Sequence, residues 1–355
     1  MRRKNGAPHS RMCRRTFIHR TLKAAAMIAG AATAAPLASL GIPKRLSYAA
    51  VSEYSGKRRF MNYRRLGKTD IMVSEISFGC ALNYGCKPIG TDLNDTVRSL
   101  YAKALELGIN VFDTSINSDK QYLDEESFRY FKPVRDKVYL ATKVNDFEPA
   151  ATRTSIERSL KRMETDYIDV VFIHNMWRGG GWDKAVPALE EIRKMIEEGK
   201  VRFAGVSDHS YINLMKVGKY AHLVDVILLK YSIKKITRAE AVISEANSLD
   251  IGTIAIKVFE GAYGTWADKA SKWRHDSNLQ PYLSKNTTVS QAAVRFVLNN
   301  PKLSSALIGM RSETEILDNI TASYQADNHI SAYPDSTASS IFRNIYKLID
   351  VSYPL

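Results

Sequence analysis

"VFDTSINSDKQYLDEE", residues 111–126, begins as the end of a buried strand and then breaks its own pattern. Ile109, Val111 and Phe112 lead into Asp113, an ionisable group where a sheet interior should be dry. A lone carboxylate is costly to bury, so Asp113 calls for a cationic partner or a chemical task. The fold follows from how often this short apolar run recurs along the chain.

It recurs at "ISFGC" (76–80), "VYLATKV" (138–144), "DVVFIH" (169–174) and "RFAGVS" (202–207). "VDVILLK" (224–230), "IGTIAIK" (251–257) and "SALIG" (305–309) bring the predicted strands to eight. Between them the apolar period changes to that of helices. Ile156, Leu160 and Met163 share one face, as do Val186, Leu189, Ile192 and Ile196 ahead of a stop at Gly199. Val289, Ala293, Phe296 and Val297 mark another helix before the last strand.

Eight strand–helix units predict an α/β fold, a parallel eight-stranded (β/α)8 TIM barrel. A doubly wound sheet is the alternative, but no glycine-rich dinucleotide fingerprint follows the first strand. "YRRLGKTDIMVSEI" ahead of strand one could form a short N-terminal hairpin closing the barrel floor. The barrel is expected over 62–322. A C-terminal tail, 323–355, would add one helix with Ile341, Ile345 and Leu348 on one side.

The net charge of +14 suggests a nucleic-acid binder until it is located. Residues 1–49 hold ten Lys/Arg and no Asp/Glu, leaving 41 basic and 37 acidic residues elsewhere. The basic signal belongs to the N-terminus, so no nucleic-acid partner is expected. That segment carries Arg14-Arg15 within "CRRTFIHR", an Ala-rich run from Ala24 to Ile42, and small residues at "SYA" (47–49). It resembles a twin-arginine export signal, which implies the export machinery as a partner and a periplasmic or otherwise exported protein. A membrane anchor is the other reading, and Gly30, Pro36 and Gly41 make this run a poor one.

Export changes the reading of the cysteines. Cys13 would leave with the signal, while Cys80 and Cys86 could close a loop or remain free thiols. No close Cys/His cluster suggests a metal, and none is expected.

In such barrels the chemistry lies at the carboxyl ends of the strands. Asp113 ends strand two, Lys143 lies near the end of strand three, and His174 ends strand four. Each alone has a plain structural explanation. Together, on consecutive strands, they point to a site.

The segments "RRLGKTDIMVSEISFGC", "GINVFDTS", "VYLATKV", "SLKRMETDYIDVVFIH", "GKVRFAGVS" and "ALIGMRSETEILDNITA" resemble the aldo-keto reductase family from about Tyr63 to Ala322. The resemblance implies carbonyl/alcohol interconversion on a small carbonyl or sugar-like substrate, with a nicotinamide cofactor. It also implies a tyrosine proton donor supported by Asp113, Lys143 and His174. A tyrosine titrates near ~10, so a cationic lysine is needed to lower that value.

The family's tyrosine stands five residues after the aspartate, where this chain has Ser118. Tyr122 lies four further on, with Glu126 four after it, as a glutamate follows the family's tyrosine. Tyr122 is taken as the donor, with Ser118 as a true replacement left open.

For the cofactor, the resemblance assigns Ser207 and Asp208 to the carboxamide and Tyr231 to stacking under the nicotinamide. A strand-end core aromatic is the alternative for Tyr231. Lys257, Gly309, Arg311 and Ser312 would serve the phosphates, favouring NADP, with NAD less favoured. Leu228 replaces the usual glutamine, and Glu315 is acidic where a neutral or basic group is common. These departures leave a rival: a binding barrel, or one using a retained nicotinamide for internal redox on a sugar. Trp177, Trp182, Trp266 and Trp273 fall on two active-face loops, as a stacking wall or as a lid packed on itself.

Overall fold

A computed structural model describes residues 61–82, 93–115, 123–176, 180–234, 236–259, 274–284 and 287–326. The N-terminal segment 1–49, Ser118, Tyr122, Cys86, Trp177, Trp266, Trp273 and the tail beyond 326 lie outside the described residues.

The eight predicted strands are all present. They are β3 (Ile76–Gly79), β4 (Val111–Asp113), β5 (Tyr139–Val144) and β6 (Ile168–His174), then β7 (Val201–Asp208), β8 (Val226–Lys230), β9 (Gly252–Ile256) and β10 (Ser305–Gly309). They close into a parallel barrel in the order β10-β3-β4-β5-β6-β7-β8-β9. A first hairpin, β1 (Tyr63–Arg65) and β2 (Met72–Ser74), pairs antiparallel as expected. Its Leu66, Ile71 and Val73 pack into the barrel interior with Val111, Ala141, Val170, Phe172, Val226, Leu228 and Ile254. The hairpin is a floor plug.

Helices cover the outside because their apolar residues recur every three or four positions. The helix α1 (Asp95–Glu106) begins at Asn94, whose side chain accepts from Val97 N, and buries Val97, Leu100, Tyr101 and Ala104. The helices α2 (Pro149–Met163), α3 (Trp182–Glu197), α4 (Tyr211–Leu214) and α5 (Thr237–Ser248) follow. Next, α6 (Val289–Leu298) opens on a capping box between Thr288 and Gln291. The last, α7 (Glu313–Ala326), carries the chain four residues into the segment assigned to the tail.

Strand alternation sets which residues reach the interior. On β8, Val226 and Leu228 join the inner cluster while Ile227 and Leu229 join the outer core. The same count turns Asp113, Lys143, His174, Ser207 and Lys230 inward at the carboxyl ends of β4 to β8. The barrel interior is tight elsewhere: a Cβ on Gly205 would meet the Phe172 ring at 2.4 Å.

Candidate active site

Asp113 and Lys143 are each 4% exposed and form a buried pair. Lys143 Nζ donates to Asp113 Oδ1 at 2.6 Å, to Oδ2 at 2.5 Å and to the Thr114 carbonyl at 2.8 Å. Those three bonds account for an ammonium's three protons. Burial pushes the Asp113 carboxyl above its usual range, against the pull of Lys143. The cationic partner that the sequence demanded of Asp113 is present.

His174 sits beside them on β6, partly exposed. Its Nδ1 lies 2.7 Å from Asn145 Oδ1, and its Nε2 lies 3.1 Å from Asn175 Nδ2. A carbonyl oxygen can only accept, so Nδ1 carries a proton toward Asn145 while Nε2 faces the Asn175 amide. Neither asparagine was singled out from the sequence. Asn175 and Lys257, directly after β6 and β9, have φ values of 53° and 56°. Non-glycine residues in that region concentrate at functional loops.

The backbone ahead of the helical segment Glu125–Lys137 is fixed to the strand ends. Leu123 N donates to the Cys80 carbonyl at 2.8 Å, and Thr114 Oγ1 donates to the Leu123 carbonyl at 2.6 Å. Glu125, fully buried, accepts from Thr142 Oγ1 at 2.6 Å and Ser159 Oγ at 2.7 Å. Burial pushes its carboxyl up. Glu126, on whose spacing the case for Tyr122 rests, is a surface residue with a 52% exposed side chain. The buried glutamate is its neighbour, which removes that spacing as support.

Several cofactor candidates stand elsewhere than expected. Tyr231 follows β8 on its outer side, because two-residue alternation from Leu229 turns it away from the interior. It is 3% exposed, stacks on Phe296 at 5.7 Å and donates its hydroxyl to Glu240 at 2.5 Å. That is the placement of a strand-end core aromatic. Asp208 is fully buried and accepts from Ser210 N at 2.9 Å and Asn213 Nδ2 at 2.8 Å, closing the turn into α4. Ser207 remains inward, 2% exposed, while its carbonyl receives Asn175 N at 2.8 Å. Leu228 lines the apolar interior with Asp113 above it.

At the start of α7, Ser312 Oγ accepts from Glu315 N at 3.2 Å, and Glu315 Oε2 accepts from Arg311 N at 2.5 Å. The helix N-terminus expected to receive a phosphate thus already holds a carboxylate. Gly309 is close-packed: a Cβ there would lie 3.2 Å from Leu82. Lys257 is partly buried, and burial together with Lys143 and Lys230 lowers its pKa. Lys230 was missed in the sequence, although alternation from Leu228 would have turned it inward.

Cys80 and Trp182 both pack in the core. Cys80 packs outside β3 with its sulfur 3.7 Å from the Tyr101 hydroxyl, and burial pushes its thiol up. Trp182 donates Nε1 to the Asn213 carbonyl at 2.8 Å and stacks on Tyr220 at 4.2 Å, so it anchors α3 to α4. Among the described residues, no cluster of His, Cys, Asp or Glu could hold a metal. Among the same residues, no helix is long and apolar enough to cross a membrane.

A family model described as "Aldo/keto reductase family" matches residues 81–329. L-galactose dehydrogenase of Arabidopsis thaliana is 27% identical over 73% of this chain and 87% of its own length. An uncharacterized oxidoreductase of Bacillus subtilis, YrpG, is 29% identical over 74% of this chain and 91% of its own. Among solved structures, an aldo/keto reductase from Klebsiella pneumoniae in complex with NADP and acetate has a TM-score of 0.60 at 20% identity. It spans 80% of this chain and 94% of its own, a likeness of fold.

Proposed function

The chain belongs to the aldo/keto reductase family, and from that premise we propose that it is an NADP(H)-linked oxidoreductase interconverting a carbonyl and an alcohol. The observation that carries this reading is the Asp113–Lys143 pair beside His174, inward at the carboxyl ends of three adjacent strands. Lys257 lies near enough to Lys143 and Lys230 to feel both charges, a basic setting that suits a polyanionic nucleotide. Glu315 is the residue that speaks against a 2′-phosphate at Arg311 and Ser312.

Bound there, NADPH would supply the hydride for the carbonyl carbon. The chain's own share is to hold the carbonyl and move a proton to or from its oxygen. Lys143 is not the donor while its three protons are engaged; its part is to keep charge beside a neighbouring hydroxyl. His174, whose Nε2 faces the Asn175 amide at 3.1 Å, would bond the substrate oxygen by exchanging that partner. We assign the proton donor to Tyr122. Its covalent neighbour Leu123 is fixed to Cys80 and to Thr114, whose carbonyl is the third acceptor of Lys143. Ser118 is the competing assignment.

A second reading has its own support. Asp208, Leu228 and Tyr231 are all engaged in structural contacts, which favours a barrel that binds a ligand or retains its nicotinamide for internal redox on a sugar. NADPH oxidation against a panel of small aldehydes, ketones and aldoses separates the two. The oxidoreductase reading expects multiple turnovers on at least one; a protein that binds NADPH and turns over none supports the second.

We also propose export through twin-arginine machinery, on the strength of Arg14-Arg15 and the Ala-rich run behind them. Replacing both arginines by lysine should trap the precursor in the cytoplasm. Unchanged fractionation would contradict this.

A further inference from the structure

Both ring nitrogens of His174 meet asparagines, and the two contacts differ in quality. Asn145, the residue after β5, meets Nδ1 at 2.7 Å through its Oδ1. Asn175, the residue after β6, meets Nε2 at 3.1 Å through its Nδ2. An amide nitrogen can only donate, so in this contact Nε2 offers its lone pair. The second bond is the longer one, and it leaves Asn175 Oδ1 buried without a hydrogen-bond partner. An orphaned buried acceptor carries a desolvation cost that the bond to the ring must offset.

The backbone sets this contact up. Asn175 N donates to the Ser207 carbonyl at 2.8 Å, one residue past the pairing of His174 with Ser207 in the β6–β7 ladder. With φ at 53°, the chain leaves the strand there and the Asn175 amide stands against the preceding ring. Asparagine adopts this conformation more readily than most side chains.

We propose that Asn175 is a positioning residue that caps His174 Nε2 until the substrate oxygen takes its place. The inference deepens the oxidoreductase reading and rests on it for the exchange alone. A cap of this kind weakens apparent affinity in proportion to the fraction of molecules in which Nε2 is covered. The unpaired Oδ1 is the reason the cap gives way. Released from the ring, the amide can hydrogen-bond water through both its atoms.

The cap is read without any substrate, on the full-length chain, by diethyl pyrocarbonate, which acylates an imidazole nitrogen with a free lone pair. Site-resolved mass spectrometry follows His174, with the exposed His222 and His275 as internal controls. Asn175→Gly removes the amide and tolerates the φ of 53°. It should speed modification of His174 about tenfold, as for a nitrogen covered roughly nine-tenths of the time, and leave the controls unchanged. Asn175→Asp keeps the shape but cannot donate. It should draw a proton onto Nε2, slow the modification and move the Nε2 nitrogen resonance from the pyridine-type to the pyrrole-type range. A purely structural Asn175 would leave rate and resonance as in the wild type. Wild-type behaviour in both variants therefore overturns the proposal.

The exchange is read on whichever aldehyde, ketone or aldose of the panel is turned over with NADPH. Asn175→Gly should lower its KM severalfold and change kcat less; an unchanged or raised KM overturns the exchange. A panel without turnover defeats the oxidoreductase reading instead, and the labelling ratio then decides the cap alone.

Discussion

Lys143 gives two of its protons to Asp113 and the third to the carbonyl of Thr114, so that one ammonium ties β5 to both the side chain and the backbone at the end of β4. The pair is buried, and its geometry serves stability and chemistry together. Breaking it from one side leaves a charge with no counter-ion.

Lys143→Met should therefore act twice. Turnover should fall by about 10²–10⁴-fold, as when a general acid loses its activation. Unfolding free energy should fall by about 3–5 kcal/mol, because Asp113 is left buried and unpaired. Adding Asp113→Asn should recover much of the stability and none of the turnover. Steady-state kinetics and urea denaturation of the three proteins check this.

Glu315 should tune nucleotide choice. Its carboxylate occupies the start of α7 and holds Arg311 N. Glu315→Gln keeps a hydrogen-bond acceptor and removes the charge, so NADPH should gain about fivefold over NADH at low salt. Charge reversal at Arg311 should shift the preference the other way. Fluorescence titration with both nucleotides reads the ratio.

Asp318 supplies a pH-dependent term. Burial raises its pKa from 3.8 to about 6, opposed by hydrogen bonds from Thr288 and Gln291. A carboxyl with a raised folded-state pKa contributes stability that is fully present below 3.8 and lost as pH rises through about 6. Asp318→Asn should therefore raise the melting temperature at pH 8 and change it little near pH 4. A calorimetric series from pH 4 to pH 8 tests the sign.

The opening stretch yields a kinetic prediction. Tyr122→Phe should lower turnover by about 10²-fold or more if its phenol is the donor, with NADPH affinity unchanged. If Tyr122→Phe retains full turnover, Ser118→Tyr becomes the informative variant. A gain of carbonyl reduction there would show that the barrel lacks only its acid.

The barrel was legible because its strands are buried on both faces and so read as continuous apolar runs. Asp113, Lys143 and His174 stood out for the same reason: each interrupts such a run at its carboxyl end. Reading which side a residue faces required counting by twos from a residue known to be inside. Leu228 could have served, turning Lys230 inward and Tyr231 outward, but the resemblance drew attention to Tyr231. Asp208 looks like a ligand group in sequence, and only geometry reveals that a backbone and an asparagine donor occupy it. Which of two adjacent glutamates is buried depends on the phase of a helical segment whose start the sequence does not mark.

The central claim, that this mouth serves a nicotinamide nucleotide, is tested most directly by titrating NADPH into the purified protein and following nucleotide fluorescence. The account predicts saturable enhancement with micromolar affinity, weakened by charge reversal at Arg311 and unaffected by Lys143→Met. Absence of binding by NADPH and NADH at millimolar concentration would contradict it.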